Sequence, residues 1–275
     1  MQDKEKVLKE TIEAIKPFEK RRSEDQAFGR LRTTYKALNK HEMVEKEPGN
    51  WGWVPKSILN DDRKRVSSKA YGLLVVLAMN SAAKVPVYDS RKIVPRVDEG
   101  TILRWLGLNN NNRKPLIAEL LGELVEAGII KRDGKDIELL FPTIDEAKEE
   151  GFCKIYTSTY QAILEYSHGV VTLNRLAVYL GIRYWIFEGQ AGGPHRSVIY
   201  NGRGDVAWVV DLSTNTVENQ MHWFMDNDIL SWNLVRNRNR YHNTQYYLSE
   251  KFNADELFEN ICYELKGGYL LRVLS

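Results

Sequence analysis

Residues 115–130, Pro115-Leu116-Ile117-Ala118-Glu119-Leu120-Leu121-Gly122-Glu123-Leu124-Val125-Glu126-Ala127-Gly128-Ile129-Ile130, are echoed by residues 216–230, Thr216-Val217-Glu218-Asn219-Gln220-Met221-His222-Trp223-Phe224-Met225-Asp226-Asn227-Asp228-Ile229-Leu230. Superposition pairs Ile117 with Val217, Leu121 with Met221, Leu124 with Phe224, Val125 with Met225, and Ile129-Ile130 with Ile229-Leu230. Apolar residues at i, i+4, i+7 and i+8 form one stripe on a helix of period near 3.6. A turn-prone residue, Gly128 or Asp228, then breaks each helix ahead of a strand-type pair. Each copy reads as a helix running into a strand.

Outward from this core the two copies keep the same order. Downstream, a charged hairpin follows in each. Lys131-Arg132-Asp133-Gly134-Lys135-Asp136 joins Ile129-Ile130 to 137–141, and Arg236-Asn237-Arg238-Asn239-Arg240-Tyr241-His242-Asn243 joins 229–235 to 244–248. Asp133-Gly134 is a strong tight-turn signal. Upstream, residues 101–108 read as a preceding helix with a turn over 109–114, matched by 205–212 and 213–216. Ahead of these lie short β-like runs (92–94 and 197–200) and longer apolar helices (67–79 and 172–187).

Helix, short strand, helix, turn, helix and β-hairpin, occurring twice, resembles the winged helix-turn-helix superfamily. The resemblance implies an α+β fold, mostly α, with two tandem winged-helix domains at 61–151 and 152–250. A charged helical extension (1–60) and a C-terminal helix with its tail (251–275) flank them. The arrangement is similar to plasmid and phage replication initiators and to some transcription regulators.

Composition bounds the alternatives. The chain of 275 residues is 43% hydrophobic and 28% charged, which is globular composition with room for two ordinary domains. No apolar run approaches the ~20 residues that span a bilayer, and Met1 to Lys6 lacks the pattern of a secretion signal. A cytoplasmic protein without membrane association is expected. Cys153 and Cys262 lack neighbours at metal-ligand spacing and read as packed, reduced thiols. His41, His168, His195, His222 and His242 form no metal motif, and no nucleophile–base set can be assembled. Gly189 to Arg196 lacks the Gly-Lys-Ser/Thr and helix of a phosphate loop. The expectation is a non-enzyme with no cofactor, no metal and no catalytic residue.

Net charge of +2 gives no global argument for nucleic acid, so local charge must carry it. In the second copy the stripe through Val217, Met221, Phe224 and Met225 faces inward and leaves Thr214, Asn215, Thr216, Asn219 and His222 outside. Asparagine pairs bidentately with adenine, and threonine bonds base edges or touches a thymine methyl. Ser213 or Thr214 also suits a helix N-cap, which is the purely structural account of part of this set. Arg236, Arg238 and Arg240 alternate along one face of an extended wing with no acid between Asn233 and Asn243, a pattern suited to phosphates or a minor groove.

In the first copy Asn111, Asn112, Arg113 and Lys114 stand at a helix start, where the dipole favours phosphate, and Lys131 and Arg132 sit in the wing. Glu119, Glu123 and Glu126, expected to point outward, oppose a phosphate backbone. Lys20-Arg21-Arg22 and Arg30-Leu31-Arg32 alternate with acids and read as a solvated helical face. Trp51-Gly52-Trp53 reads first as packing against a neighbouring domain and second as a stacking site. The helix over 254–266, stopped by Gly267-Gly268, either caps the second domain or makes a homodimer contact.

These residues lead to the expectation of a sequence-specific double-stranded DNA-binding protein, a replication initiator or transcriptional regulator of a plasmid or phage type element. Its alternative is a protein-interaction scaffold, with a protein partner on the first domain or the N-terminal extension. An RNA-binding regulator using Trp223, Trp232 and Tyr241 for stacking is a third.

Overall fold

The structure, a computed structural model, describes residues 4–15, 50–83, 92–108, 111–186, 198–199, 202–237 and 244–274. It is α+β, mostly helical, with small antiparallel sheets. The chain divides into two compact units, one built from residues 48–186 and 203–227, the other from 1–47, 187–202 and 228–275.

The larger unit begins with strand β1 (Trp51–Pro55) and short helix α2 (Lys56–Asn60), followed by α3 (Ser68–Met79). Strands β2 (Ala82–Ala83) and β3 (Lys92–Val94) lead to α4 (Glu99–Trp105), α5 (Lys114–Glu126) and the hairpin β4 (Ile130–Asp133) and β5 (Asp136–Leu139). The sheet order β2-β3-β5-β4 closes the hairpin onto β3. Helix α6 (Ile144–Glu150) then leads to β6 (Phe152–Tyr156), α7 (Thr157–Tyr166) and α8 (Val171–Tyr184). Helices α9 (Arg203–Val209) and α10 (Thr214–Asp226) complete the unit.

The repeat extends further upstream than its sequence shows. Strand β1 followed by α2 and α3 corresponds to β6 followed by α7 and α8, at an offset of 152 − 51 = 101 positions. The two strands pair antiparallel, with Trp51 opposite Tyr156, Trp53 opposite Lys154 and Pro55 opposite Phe152. Shifting this register by the repeat offset exchanges its two ends, which is the self-complementary pattern of a local two-fold relation. Helix α3 packs on α8, and a Cβ placed on Gly72 would lie 2.0 Å from the Leu173 carbonyl oxygen, again an offset of 173 − 72 = 101. Both helices are apolar nearly all round and buried: Ala70 to Ala78 in one, Leu176 to Arg183 in the other. An all-apolar helix must be covered on every side. Hence α3 and α8 form a common centre, and the units do not follow the expected division at 151/152.

Each repeated helix ends in a left-handed residue. After α5, Gly128 has φ +65°, with the Ile129 amide donating to Leu124 O at 2.9 Å and the Gly128 amide to Val125 O at 3.0 Å. These two bonds satisfy the last carbonyls of the helix. Asp228 adopts the same left-handed conformation after α10 with φ +53°, which costs a non-glycine residue about 1 kcal/mol.

The smaller unit is a four-stranded antiparallel sheet in the order β10-β8-β9-β7, from β7 (Val198–Ile199), β8 (Leu230–Asn237), β9 (Thr244–Glu250) and β10 (Leu270–Val273). Helix α11 (Ala254–Lys266) covers it, burying Leu257, Phe258, Ile261 and Leu265 against Val235, Tyr247, Leu270 and Val273. Its apolar stripe is thus used inside its own unit. Helix α1 (Lys4–Ile15) packs along α11, with Val7 on the same cluster and Lys266 Nζ 3.5 Å from Glu10. No helix among the described residues is long and apolar enough to cross a membrane.

Candidate nucleic-acid interface

Helix α10 presents the clearest candidate surface. Val217, Met221, Phe224 and Met225 are buried, as the stripe predicts. Asn215, Asn219 and His222 are exposed at i, i+4 and i+7, and so share the opposite face, with Thr214 exposed beside them. Ser213 is the N-cap: its Oγ accepts the Thr216 amide at 3.2 Å and lies 2.8 Å from Thr216 Oγ1. Thr216 is half-buried and belongs to the cap, leaving Thr214, Asn215, Asn219 and His222 as the outward set.

Two arginines brace the helix. Arg175 from α8 lays its guanidinium 3.7 Å from the centre of the Trp223 ring and donates from Nε to Gln220 Oε1 at 3.2 Å. A third contact runs from its Nη1 to Ser167 Oγ at 2.7 Å. Arg203 at the start of α9 pairs with Glu218. Trp223 is therefore half-covered by arginine, and this occupies the ring that the RNA alternative assigned to base stacking.

The run Arg63-Lys64-Arg65, which precedes the first long helix in sequence, is brought to α9 through Arg65. Arg65 donates from Nη2 to Trp208 O at 2.8 Å, and its guanidinium lies 5.6 Å from the centre of the Trp208 ring, which is 54% exposed. The exposed Arg65 thus stands beside α9, the helix that precedes α10, while Arg63 pairs with Asp61 and Arg65 also with Asp62. Only the contact across 143 residues reveals this placement.

The first copy is organised differently. A 3-10 turn over Asn111–Arg113 precedes α5, and Asn112, Arg113 and Lys114 are exposed there. The Asn111 side chain lies outside the described residues. Lys131 is exposed in β4, whereas Arg132 pairs with Glu99 at 3.3 Å, which ties the hairpin to the first turn of α4. Glu123 does not point outward as expected. It is half-buried, and its carboxylate accepts the amide of Ser67, the N-cap of α3, at 2.9 Å. Glu119 and Glu126 remain exposed, together with Ala118 and Val125.

The hairpin strands that follow the second copy belong to the smaller unit. Arg236 is half-buried in β8, opposite Thr244 in β9 and Arg272 in β10. Its Nε is enclosed without a hydrogen-bond acceptor among the described residues. Arg238, Arg240 and Tyr241 lie outside the described residues, as do the glycine cluster, the basic runs of 20–32, His41, His195 and His242. Trp232 is half-buried and meets Tyr246 edge-on at 6.0 Å.

The two cysteines are buried apart from the candidate surface. Burial pushes the Cys153 thiol up to about 12 and Cys262 to about 11, so neither is a thiolate at neutral pH. Both are free and buried. Among the described residues no cluster of His, Cys, Asp and Glu could hold a metal ion.

Lys92 is a half-buried cation set among aromatic rings. Its Nζ lies 4.4 Å from the centre of the Trp53 ring and 5.8 Å from that of Phe141, and burial pulls its pKa down to about 8. Unfolded lysine titrates near 10.4. Between those two values the unfolded chain holds a proton that the folded chain has lost, so stability rises with pH across that window. Replacing Lys92 by methionine removes the effect. The advantage of Lys92→Met over the parent should therefore shrink between pH 7 and pH 10.5, by at most about 3 kcal/mol. Urea unfolding at both pH values measures it, and a pH-independent difference would show that the ammonium is solvated.

No protein-family model matches the chain, and no curated protein and no solved structure matches it either.

Proposed function

We propose that this chain is a sequence-specific double-stranded DNA-binding protein built on two tandem winged helices, of the kind found in replication initiators and transcription regulators. The observation that carries the reading is the outward face of α10. Asn215, Asn219 and His222 lie in line, while every apolar residue of the stripe is buried behind them. Amide side chains at this spacing match the donor and acceptor pattern of successive bases in a major groove. Helix α9, with Arg65 beside it, supplies backbone contacts. The arginine wing, 236–240, adds phosphate or minor-groove contacts.

The test is salt-titrated binding to a random duplex pool, with sequencing of the retained fraction. An enriched motif and a steep salt slope are expected. Arg236→Ala, Arg238→Ala and Arg240→Ala together should weaken binding to all sequences and flatten the slope by about one unit per lost phosphate contact. No retention at low salt would remove duplex DNA as the ligand. An unchanged slope would remove the wing from the interface.

A second reading rests on α5. Its exposed face carries Ala118, Glu119, Glu126 and a 40% exposed Val125, a composition unsuited to phosphate and suited to a protein. Changing Glu119 and Glu126 to lysine separates the two readings. Tighter duplex binding would place α5 at the DNA, and unchanged duplex binding would leave its face to a partner.

A further inference from the structure

Two separate contacts set a residue against its own repeat counterpart. At the middle of the β1–β6 ribbon Trp53 faces Lys154, and where α3 meets α8 a Cβ on Gly72 would lie 2.0 Å from the Leu173 carbonyl oxygen. The offsets agree, 154 − 53 = 101 and 173 − 72 = 101. Residues that meet their own counterparts lie on the axis that exchanges the copies, and the antiparallel pairing makes that axis a two-fold. A head-to-tail repeat would set each residue against a position displaced from its counterpart.

Helices α5 and α10 follow the same exchange. Helix α5 packs on α3, and α10 on α8. Superposed at the offset of 100 that pairs Ile117 with Val217, the two are anchored to their central helices through one position. Glu123 accepts the Ser67 amide at the start of α3, and Trp223 lies under Arg175 of α8. Their left-handed ends, Gly128 and Asp228, also match. The outward residues Asn215, Asn219 and His222 then correspond to Pro115, Glu119 and Gly122. Pro115 and Glu119 are exposed, and a Cβ on Gly122 would meet nothing within 4 Å, so this face of α5 is open. Arg113 and Lys114, exposed at its start, place cations beside it.

A carboxylate accepts from the N4 amino group of cytosine in the major groove, as an asparagine amide pairs with adenine. Two-fold recognition helices meet duplex half-sites in opposite orientation. Here the side chains on the two helices differ, so the half-sites must differ in sequence.

We propose that one chain reads two unlike half-sites in inverted orientation, one containing adenine through α10 and one containing cytosine through α5, with Glu119 setting the second sequence. This rests on the duplex reading of α10 and adds to it a second half-site and its orientation.

The test repeats the duplex selection with the full-length protein and two variants. The parent should select a bipartite motif whose elements lie a whole number of helical turns apart, with one chain bound per motif by mass photometry. Glu119→Ala should erase a cytosine preference in one element and weaken binding to the parent motif about 5- to 150-fold, leaving the other element intact. The triple variant Pro115→Asn, Glu119→Asn, Gly122→His gives α5 the outward residues of α10, and its selected motif should become an inverted repeat of the α10 element. None of the three positions is buried, and circular dichroism verifies the fold. If the triple variant does not fold, Glu119→Ala decides alone, and an unchanged selection overturns the proposal. A direct repeat selected by the triple variant, or two chains on the parent motif, would overturn it as well. A motif that responds to Asn219→Ala but to neither α5 variant would overturn this proposal and leave the reading of α10 standing, whereas no enrichment by the parent would remove both.

Discussion

Gly72→Ala is expected to destabilise the larger unit by at least about 3 kcal/mol, the upper part of the range for overpacking a tight core. The added Cβ would sit 2.0 Å from the Leu173 oxygen, 2.7 Å from its carbonyl carbon and 2.8 Å from its Cα. All three are backbone atoms, so no rotamer change can relieve the clash. Helices α3 and α8 must slide or separate, and both are buried on nearly every side. Contact would be lost all along their length. For a unit of this size the unfolding midpoint should fall by about 6–12 °C, read by calorimetry. Gly122→Ala is the control. Nothing lies within 4 Å of the Cβ it adds to α5, and relief of glycine's unfolded-state entropy should stabilise by about 0.4–1 kcal/mol. A drop of under 2 °C for Gly72→Ala would show that the two helices are not in the contact described.

Asn215→Ala and Asn219→Ala should each cost about 1–3 kcal/mol on the preferred duplex, or roughly 5- to 150-fold in affinity. Their effect on random duplex should be small. Both side chains are exposed and outside the core, so folding should be unaffected. Selection repeated with Asn219→Ala should lose preference at one position of the motif and keep the rest. Equal loss on specific and random DNA would reassign both residues to backbone contact. Arg175 gives a complementary test through orientation. Arg175→Met removes the brace on Trp223 and Gln220 without touching the outward face, so it should lower specific affinity more than the salt slope.

The helices and hairpins were legible because their signals are local. The stripe Val217, Met221, Phe224, Met225 defines the buried side of α10, and the serine ahead of it caps the helix. The Gly267-Gly268 stop places the end of α11, where Gly268 adopts φ +72°. Lys92–Val94 emerges as a strand although it is only three residues long. Residues 152–167 suit either a connecting helix or an added strand and helix, and only pairing with β1 decides for the strand.

By itself, then, the sequence determined the period of each element, the faces they bury, and the repetition of helix, helix and hairpin. Those follow from contacts within a few residues, where spacing and side-chain type are sufficient. The tertiary structure alone decided that β1 pairs with β6, that α3 crosses α8 at Gly72, and that Arg65 reaches Trp208. It also decided that Glu123 caps α3 instead of facing solvent. Each of these joins residues 56 to 143 positions apart in the hydrogen-bonded cases. Their partners are selected by shape, burial and the need to satisfy backbone groups, none of which is encoded in the local pattern.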